Sequence, residues 1–271
     1  MPPIQALLFD VFGTVVNWRA SVVAELEALG KKYGAETGLA LSLYVRVQLQ
    51  TQTFSDATDW GKFAQDWWSA CMKKIGQIAA GASGPLSSDV LHREILDAQL
   101  SSPEWSHIGR LWDEATRQSI NLVWHRLNGW PDTVEGLDEL KKHTIIAALS
   151  NGNIRQLVDM AKHAGLPWDM IFSTEFFDSF KPNPKIYVEA VRHLSLPPES
   201  CAMVAAHIYD LRAAAKLGMR TIYVRRLDED LDANKQPVDV KSKADGGDVD
   251  YVVDSFTELA EIIASINAGN D

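Results

Sequence analysis

The stretch "LLFDVFGTVVNW", residues 7–18, is an apolar run that ends in a single carboxylate, Asp10. Its short and nearly continuous apolar character, followed by "GT", predicts a buried β-strand. A strand without polar alternation is typical of a parallel sheet that helices cover on both faces. The stretch therefore predicts a buried strand that ends at Asp10, and it carries Phe12 where a second acid could have stood.

The rest of the chain divides into two patterns. Residues 126–271 alternate the apolar runs "TIIAALS", "MIFST", "CAMVAA", "RTIYVRR" and "YVVDS" with amphipathic helical segments. This alternation predicts an α/β fold, a Rossmann-like parallel sheet with helices on both faces. Residues 17–125 are helical in pattern throughout, with a break at "GASGPLSSD". We therefore predict a core from residues 1–16 and 126–271 and an inserted helical cap domain over residues 17–125. The acidic segment 227–250 is expected to be a solvated surface loop.

Composition argues against several classes of function. The formal net charge of -10 and the pI near 5.2 disfavour nucleic acid or an anionic membrane as a partner, because both favour clustered Lys and Arg. Cys71 and Cys201 lie far apart and lack metal-ligand spacing. No apolar stretch reaches membrane-spanning length, and the amino terminus lacks the pattern of a signal peptide. We expect a cytoplasmic protein that acts on a small molecule.

Polar side chains follow four predicted strands or lie in the loops beside them. In open parallel sheets, ligands bind beyond the carboxyl ends of the strands. Each residue taken alone could instead cap a helix or a turn. Several strand ends that all carry polar residues favour one active site. The residues in question are Asp10, Thr14, Ser150, Asn151, Lys181, His207 and Asp210.

Four segments carry a family resemblance. "FDVFGT", "LSNG", "KPNPKIY" and "VAAHIYDLRAAAKLG" resemble, in that order, the four motifs of the haloacid dehalogenase superfamily. The resemblance implies that Asp10 is the nucleophile and that the helical insertion is the family's cap domain. Most members are magnesium-dependent phosphatases, and a smaller branch consists of (S)-2-haloacid dehalogenases.

Two positions favour the dehalogenase branch. Phosphatases of the superfamily usually carry a second Asp at the position of Phe12, which protonates the leaving alcohol, whereas a halide leaves without a proton. They also carry an acid at the position of Ala206, which helps to hold magnesium. The resemblance therefore implies hydrolysis of short, anionic 2-haloacids to 2-hydroxyacids through an Asp10 ester, without a metal or other cofactor.

The resemblance also implies a role for each site residue. Lys181 would orient Asp10, Asp210 would activate or position water, and Thr14 joins them as a catalytic residue. Arg46, in the cap, would anchor the substrate carboxylate, unless it is an ordinary surface arginine. Tyr187 would support Lys181. His207 stands where better-known dehalogenases carry Asn after two serines, and it could replace their hydrogen bonds or be structural. The remaining substrate-binding candidates are Phe12, Phe63, Ser150 and Asn151.

Two other functions stay open at this point. A magnesium-dependent phosphatase for a small metabolite is the main alternative, since Asp10 and Asp210 are present. A binding module that keeps the fold without catalysis is the other, although the intact polar set disfavours it. The resemblance also makes a homodimer plausible.

Overall fold

The computed structural model describes residues 3–40, 58–231 and 236–269. Its centre is a six-stranded parallel sheet with the strand order β3-β2-β1-β4-β5-β6. The predicted α/β class and the predicted parallel sheet are confirmed. The strands are β1 (Ala6–Phe9), β2 (Ile145–Ser150), β3 (Met170–Ser173), β4 (Cys201–Ala205), β5 (Arg220–Val224) and β6 (Tyr251–Val253).

Helices surround this sheet and form the whole described segment between β1 and β2 apart from short turns. That segment contains α1 (Trp18–Ala40), α2 (Trp60–Ala79), α3 (Ser88–Ser101), α4 (Ser106–Gly109), α5 (Glu114–Asn121), a 3₁₀ turn (Leu122–His125) and α6 (Thr133–Leu140). The later helices are α7 (Ile154–Ala164), α8 (Pro184–Leu194), α9 (Ile208–Ala215) and α10 (Phe256–Asn267). None of the described helices is long and apolar enough to cross a membrane.

Strand β1 lies in the middle of the sheet because both of its faces are apolar. Leu7 and Phe9 pack into one core, which includes side chains of α1, α2, α6 and α10. Ala6 and Leu8 pack into a second core with side chains of α8 and α9. Side chains alternate between the two faces of a strand, so a continuous apolar run is buried on both sides. The central position of β1 brings Asp10 to the middle of the carboxyl edge.

The helices between β1 and β2 have an aromatic interior. Trp18 of α1, Trp68 of α2 and Trp124 of the 3₁₀ turn stack on one another, with ring centroids 4.7 to 6.0 Å apart. Such stacks bury large apolar surfaces and fix how the helices pack. The division of the chain into a core and a cap at residues 16/17 and 125/126 stays a prediction.

The acidic segment 227–250 is not simply a solvated loop, so that interpretation was wrong. Val240 and Val249 are buried in the second core, and the Glu229 side chain is only 6% exposed. Asp230 accepts a hydrogen bond from the backbone N–H of Ile208, at the first turn of α9, over 2.9 Å. The segment turns inward because the end of β4 and the start of α9 offer its carboxylates positive partners and N–H donors.

Candidate active site

The carboxyl edge of the sheet brings together side chains from three separate segments. Asp10 directly follows β1, and its backbone N–H donates to Val204 of β4 over 3.0 Å. Lys181 comes from the loop before α8, and Asp210 from the first turn of α9. Asp10, Lys181 and Asp210 are 6%, 2% and 0% exposed. Charged groups this deeply buried must be paired, and the contacts below provide the pairing.

Lys181 bridges the two acids. Its Nζ lies 2.8 Å from Asp10 Oδ1 and 2.6 Å from Asp210 Oδ2. Its backbone N–H donates to Asn151 Oδ1 over 2.7 Å, which fixes the loop from which the side chain extends. Burial alone would lower the pKa of Lys181, but the two carboxylates outweigh burial and raise it. Lys181 is therefore a permanent cation beside Asp10 at neutral pH.

Thr14 donates its hydroxyl proton to Asp10. The backbone N–H of Ala206 donates to Thr14 Oγ1 over 2.9 Å, so the oxygen accepts from that side. Its own proton then points to Asp10 Oδ2, 2.8 Å away. This contact ties the end of β1 to the end of β4 and orients the Asp10 carboxylate.

His207 is the second cation beside Asp10. Its Nδ1 lies 3.0 Å from Asp10 Oδ2, and its Nε2 lies 3.4 Å from Glu229 Oε2. Burial would lower the pKa of His207, but the two carboxylates raise it to about 10. Burial would likewise raise the pKa of Asp10, but Lys181 and His207 hold it well below its ordinary range. At neutral pH an Asp10 carboxylate thus faces two positive charges.

Asp210 is completely buried and has both carboxylate oxygens occupied. Lys181 binds Oδ2, and the Tyr187 hydroxyl donates a short hydrogen bond to Oδ1. Burial raises the pKa of Asp210, against the opposing effect of Lys181. Tyr187 was predicted to support Lys181, and the structure has it contact Asp210, which in turn contacts Lys181.

A small pocket of about 20 Å³ opens beside these groups. Four of the predicted site residues line it: Asp10, Phe12, Asn151 and His207. Sequence reasoning missed the remaining lining residues, most of which come from α2 and α3. The only available signal was helical spacing, which core residues share. The missed residues are Trp68, Met72, Ile75, Ser88, His92, Gly152 and Tyr209.

Two predicted substrate-binding residues, Phe63 and Ser150, do not line this pocket. Phe63 is fully buried among aromatic rings, 5.0 Å from Trp105 between centroids, because it faces the interior of the helical region. Ser150 is also fully buried, and its Oγ accepts the Gly152 N–H over 3.3 Å, which stabilises the turn after β2. Arg46 lies outside the described residues.

The charged side chains of the site do not form a metal-binding set. Within residues 3–40, 58–231 and 236–269, no three His, Cys, Asp or Glu side chains come together so that they could hold a metal ion. At the two positions where acids would help to hold magnesium or transfer a proton, the side chains are the Ala206 methyl group and the Phe12 ring.

Comparison with known proteins agrees with this geometry. Residues 4–218 match the model of a family described as haloacid dehalogenase-like hydrolase. The chain belongs to this family. It is therefore related to hydrolases, and the predicted superfamily is confirmed.

Several named relatives of this family member are haloacid dehalogenases. The chain is 26% identical to (S)-2-haloacid dehalogenase 1 of Pseudomonas sp. (strain CBS-3), over 84% of this chain and 88% of the relative. A crystal structure of an L-2-haloacid dehalogenase is 33% identical, with a TM-score of 0.75 and coverage of 97% and 99%. A defluorinating L-2-haloacid dehalogenase is 30% identical, with a TM-score of 0.76 and coverage of 96% and 95%. The branch suggested by Phe12 and Ala206 is thus the branch of these relatives.

Proposed function

We propose that the protein hydrolyses the carbon–halogen bond of short (S)-2-haloacids through an ester of Asp10, without a metal ion. The observation that carries the proposal is the surroundings of Asp10. A buried carboxylate faces Lys181, Thr14 and His207 on one side and a small pocket on the other. A carboxylate that stays ionised and is largely shielded from water is a competent nucleophile for alkyl carbon.

The first step would be a displacement at C2 of the substrate. An Asp10 oxygen forms a bond to C2, the carbon–halogen bond breaks, and halide leaves with the bonding electron pair. No proton is needed at this stage, which agrees with the apolar Phe12 in the wall. The negative substrate approaches a site where Lys181 and His207 offset the charge of Asp10.

The second step would be hydrolysis of the Asp10 ester. Water adds to the ester carbonyl, the hydroxyacid leaves, and Asp10 is restored with the release of one proton. Asp210 acts here chiefly by holding Lys181, since both of its oxygens are engaged within the protein. The substrate carboxylate would be bound by Asn151 in the pocket and by Arg46, whose role stays a prediction.

Three side chains of the site argue against a magnesium-dependent phosphatase. Phe12 cannot protonate a leaving alkoxide, and Ala206 cannot ligate magnesium, which needs several oxygen ligands in near-octahedral geometry. The surviving acid, Asp210, already accepts from Lys181 and Tyr187. A phosphatase would require all three positions to be compensated elsewhere.

Chloride release tests the proposal. Purified protein with excess chelator is incubated with (S)-2-chloropropionate, and free chloride is measured over time. We expect steady release in the chelator and a loss of about 10⁴-fold or more in Asp10→Asn, because the nucleophile is removed. Asp239→Asn is the matched control, since its side chain is 79% exposed, and it should retain full activity.

Two results would contradict the proposed reaction. One is the absence of halide release from chloro-, bromo- and fluoro-substituted acetate and propionate. The other is turnover that requires added magnesium, above all release of phosphate from small phosphate esters. Retained halide release in Asp10→Asn would leave the reaction in place but remove Asp10 as nucleophile.

A further inference from the structure

The two oxygens of Asp10 have different surroundings. Oδ2 accepts from the Thr14 hydroxyl at 2.8 Å and from His207 Nδ1 at 3.0 Å. Oδ1 accepts from Lys181 Nζ at 2.8 Å. A carboxylate oxygen has two in-plane lone pairs, so these two donors fill Oδ2, whereas within the described part of the chain Lys181 fills one lone pair of Oδ1. Oδ1 is thus the oxygen better placed to attack carbon.

Attack through Oδ1 makes Oδ2 the carbonyl oxygen of the ester. When water adds to the ester carbon, negative charge develops on Oδ2, where Thr14 and His207 already point their donors. The intermediate then collapses by breaking the bond between Cγ and Oδ1, and Oδ1 leaves as the hydroxyl oxygen of the product. One proton of the water goes to this oxygen, and the other is released.

Glu229 lies against the opposite side of the His207 ring. Its Oε2 is 3.4 Å from His207 Nε2 and also accepts from Trp18 Nε1 over 3.2 Å. The backbone makes room for it: a Cβ atom added to Gly13 would lie 2.2 Å from Glu229 Oε2, and Gly13 has a φ of +78°. The Glu229 carboxylate is therefore held in a defined position between Gly13, the Trp18 indole and the His207 imidazole.

We infer that Glu229 is a positioning residue, which holds the His207 ring with its Nδ1–H directed at Asp10 Oδ2 so that His207 stabilises the oxyanion of ester hydrolysis. The inference rests on the proposed function. Once Asp10 is esterified it loses its charge, and among the described residues Glu229 is then the remaining carboxylate in contact with His207. It keeps the ring cationic during the step in which that charge is needed.

The other groups around the ring do not replace Glu229. Tyr209 lies 5.7 Å from His207 between ring centroids, and partial burial together with the nearby carboxylates raises its pKa, so that it stays neutral. Lys181 contacts the other oxygen of Asp10 and is itself positive. Loss of the Glu229 charge should therefore lower the pKa of His207 in the ester intermediate. His207 would then lose its positive charge at a lower pH.

Glu229→Gln tests the inference because Gln has almost the same shape without the charge. Full-length protein is mixed with (S)-2-chloropropionate in single-turnover and steady-state experiments. Chloride is measured directly, and the Asp10 ester is detected by intact-protein mass. We expect ester hydrolysis to slow about 10- to 100-fold, with chloride release affected less, so that the ester accumulates. In a plot of kcat against pH, the loss of activity at high pH (the basic limb) should move to lower pH.

Asp228→Asn is the matched control, because it removes the neighbouring exposed carboxylate. It should leave ester lifetime and pH profile unchanged. Glu229→Asp keeps the charge and should recover part of the activity lost in Glu229→Gln, which a purely structural role would not predict. Melting curves of all variants check the fold.

The outcomes separate this inference from the proposed function. Turnover by the wild type with an unchanged ester lifetime and an unchanged basic limb in Glu229→Gln would overturn the inference and leave the proposed function standing. Absence of halide release by the wild type would overturn both. An equal loss in Glu229→Gln and Glu229→Asp, without ester accumulation, would also overturn the inference.

Discussion

Two histidines line the same pocket and have opposite electrostatic surroundings. His207, at the edge of the sheet, lies between the carboxylates of Asp10 and Glu229, which raise its pKa to about 10. His92, on α3, has its ring 4.3 Å from Trp124 between centroids, and its Nδ1 has no hydrogen-bond partner within the part of the chain that the structure describes. Burial lowers the pKa of His92 to about 3.

The difference shows that the two sides of the pocket have different electrostatic properties. The sheet edge concentrates charge, with Lys181 and His207 around Asp10. The opposite side of the pocket, formed by α2 and α3 and called the helical wall here, presents uncharged side chains, since Trp68, Met72 and a neutral His92 face the same space. An ionised carboxylate with an apolar wall opposite is suited to the proposed reaction, in which the carboxylate attacks an alkyl carbon and a halide leaves.

Lys181→Met should have the largest effect on stability, because it leaves two buried acids without their shared cation. We expect the free energy of unfolding at pH 7 to fall by about 3–5 kcal/mol and activity to be lost. Without Lys181 one acid gains a proton in the folded state, so its folded pKa lies above its unfolded pKa. The deficit should therefore shrink as the pH falls. Urea unfolding at pH 7 and pH 5 measures both effects.

Lys185→Met is the control for this prediction, because Lys185 is an exposed lysine of the following helix. Its unfolding free energy should change by less than about 0.5 kcal/mol. A loss below 1 kcal/mol in Lys181→Met would contradict the view that Lys181 holds Asp10 and Asp210 together.

The sequence predicted the sheet well because each strand has a local signal. Every run predicted as a strand is short, apolar and followed by a turn or a helix, and the six strands lie in those runs apart from Ala6 at the start of β1. The segment 227–250 was misjudged because charge predicts exposure only when no partner is near. Glu229 is partnered by His207, and Asp230 by the backbone N–H at the start of α9. Only folding brings these partners close.

The candidate site likewise has residues that the sequence could predict and residues that it could not. Asp10, Thr14, Lys181 and His207 could be predicted because each lies within a motif at or beside a strand end, and the sheet brings those ends together. The helical wall could not, because its residues reach the pocket only through packing between helices. Phe63 and Trp68 lie on the same helix, and only the tertiary structure shows that Trp68 lines the pocket and Phe63 does not.

His92→Phe should change the response of stability to acid. The folded pKa of His92, about 3, lies below the ordinary value of 6.5, so the unfolded chain binds a proton that the folded chain does not. This residue's contribution is thus complete above pH 6.5 and falls as the pH drops toward 3. Between pH 7 and pH 5 the wild type should lose about 2 kcal/mol more than His92→Phe in urea unfolding.

The exposed His193 provides the control, with a side chain 49% exposed. His193→Phe should keep the acid sensitivity of the wild type. Equal acid sensitivity in the wild type and His92→Phe would mean that His92 is protonated in the folded protein, and the contrast between sheet edge and helical wall would fail.

Met72→Ala should have the smallest effect, on substrate choice rather than on chemistry. Met72 lines the pocket from α2, and its loss widens the apolar wall without touching the charged groups around Asp10. We expect kcat/KM for 2-chlorobutyrate relative to chloroacetate to rise about tenfold, since one or two methylene groups in an apolar pocket contribute about 1–3 kcal/mol. Gln77→Ala, an exposed change on the same helix, should leave the ratio unaltered. A changed pH profile in Met72→Ala would contradict the division, because the wall would then influence the charges at the sheet edge.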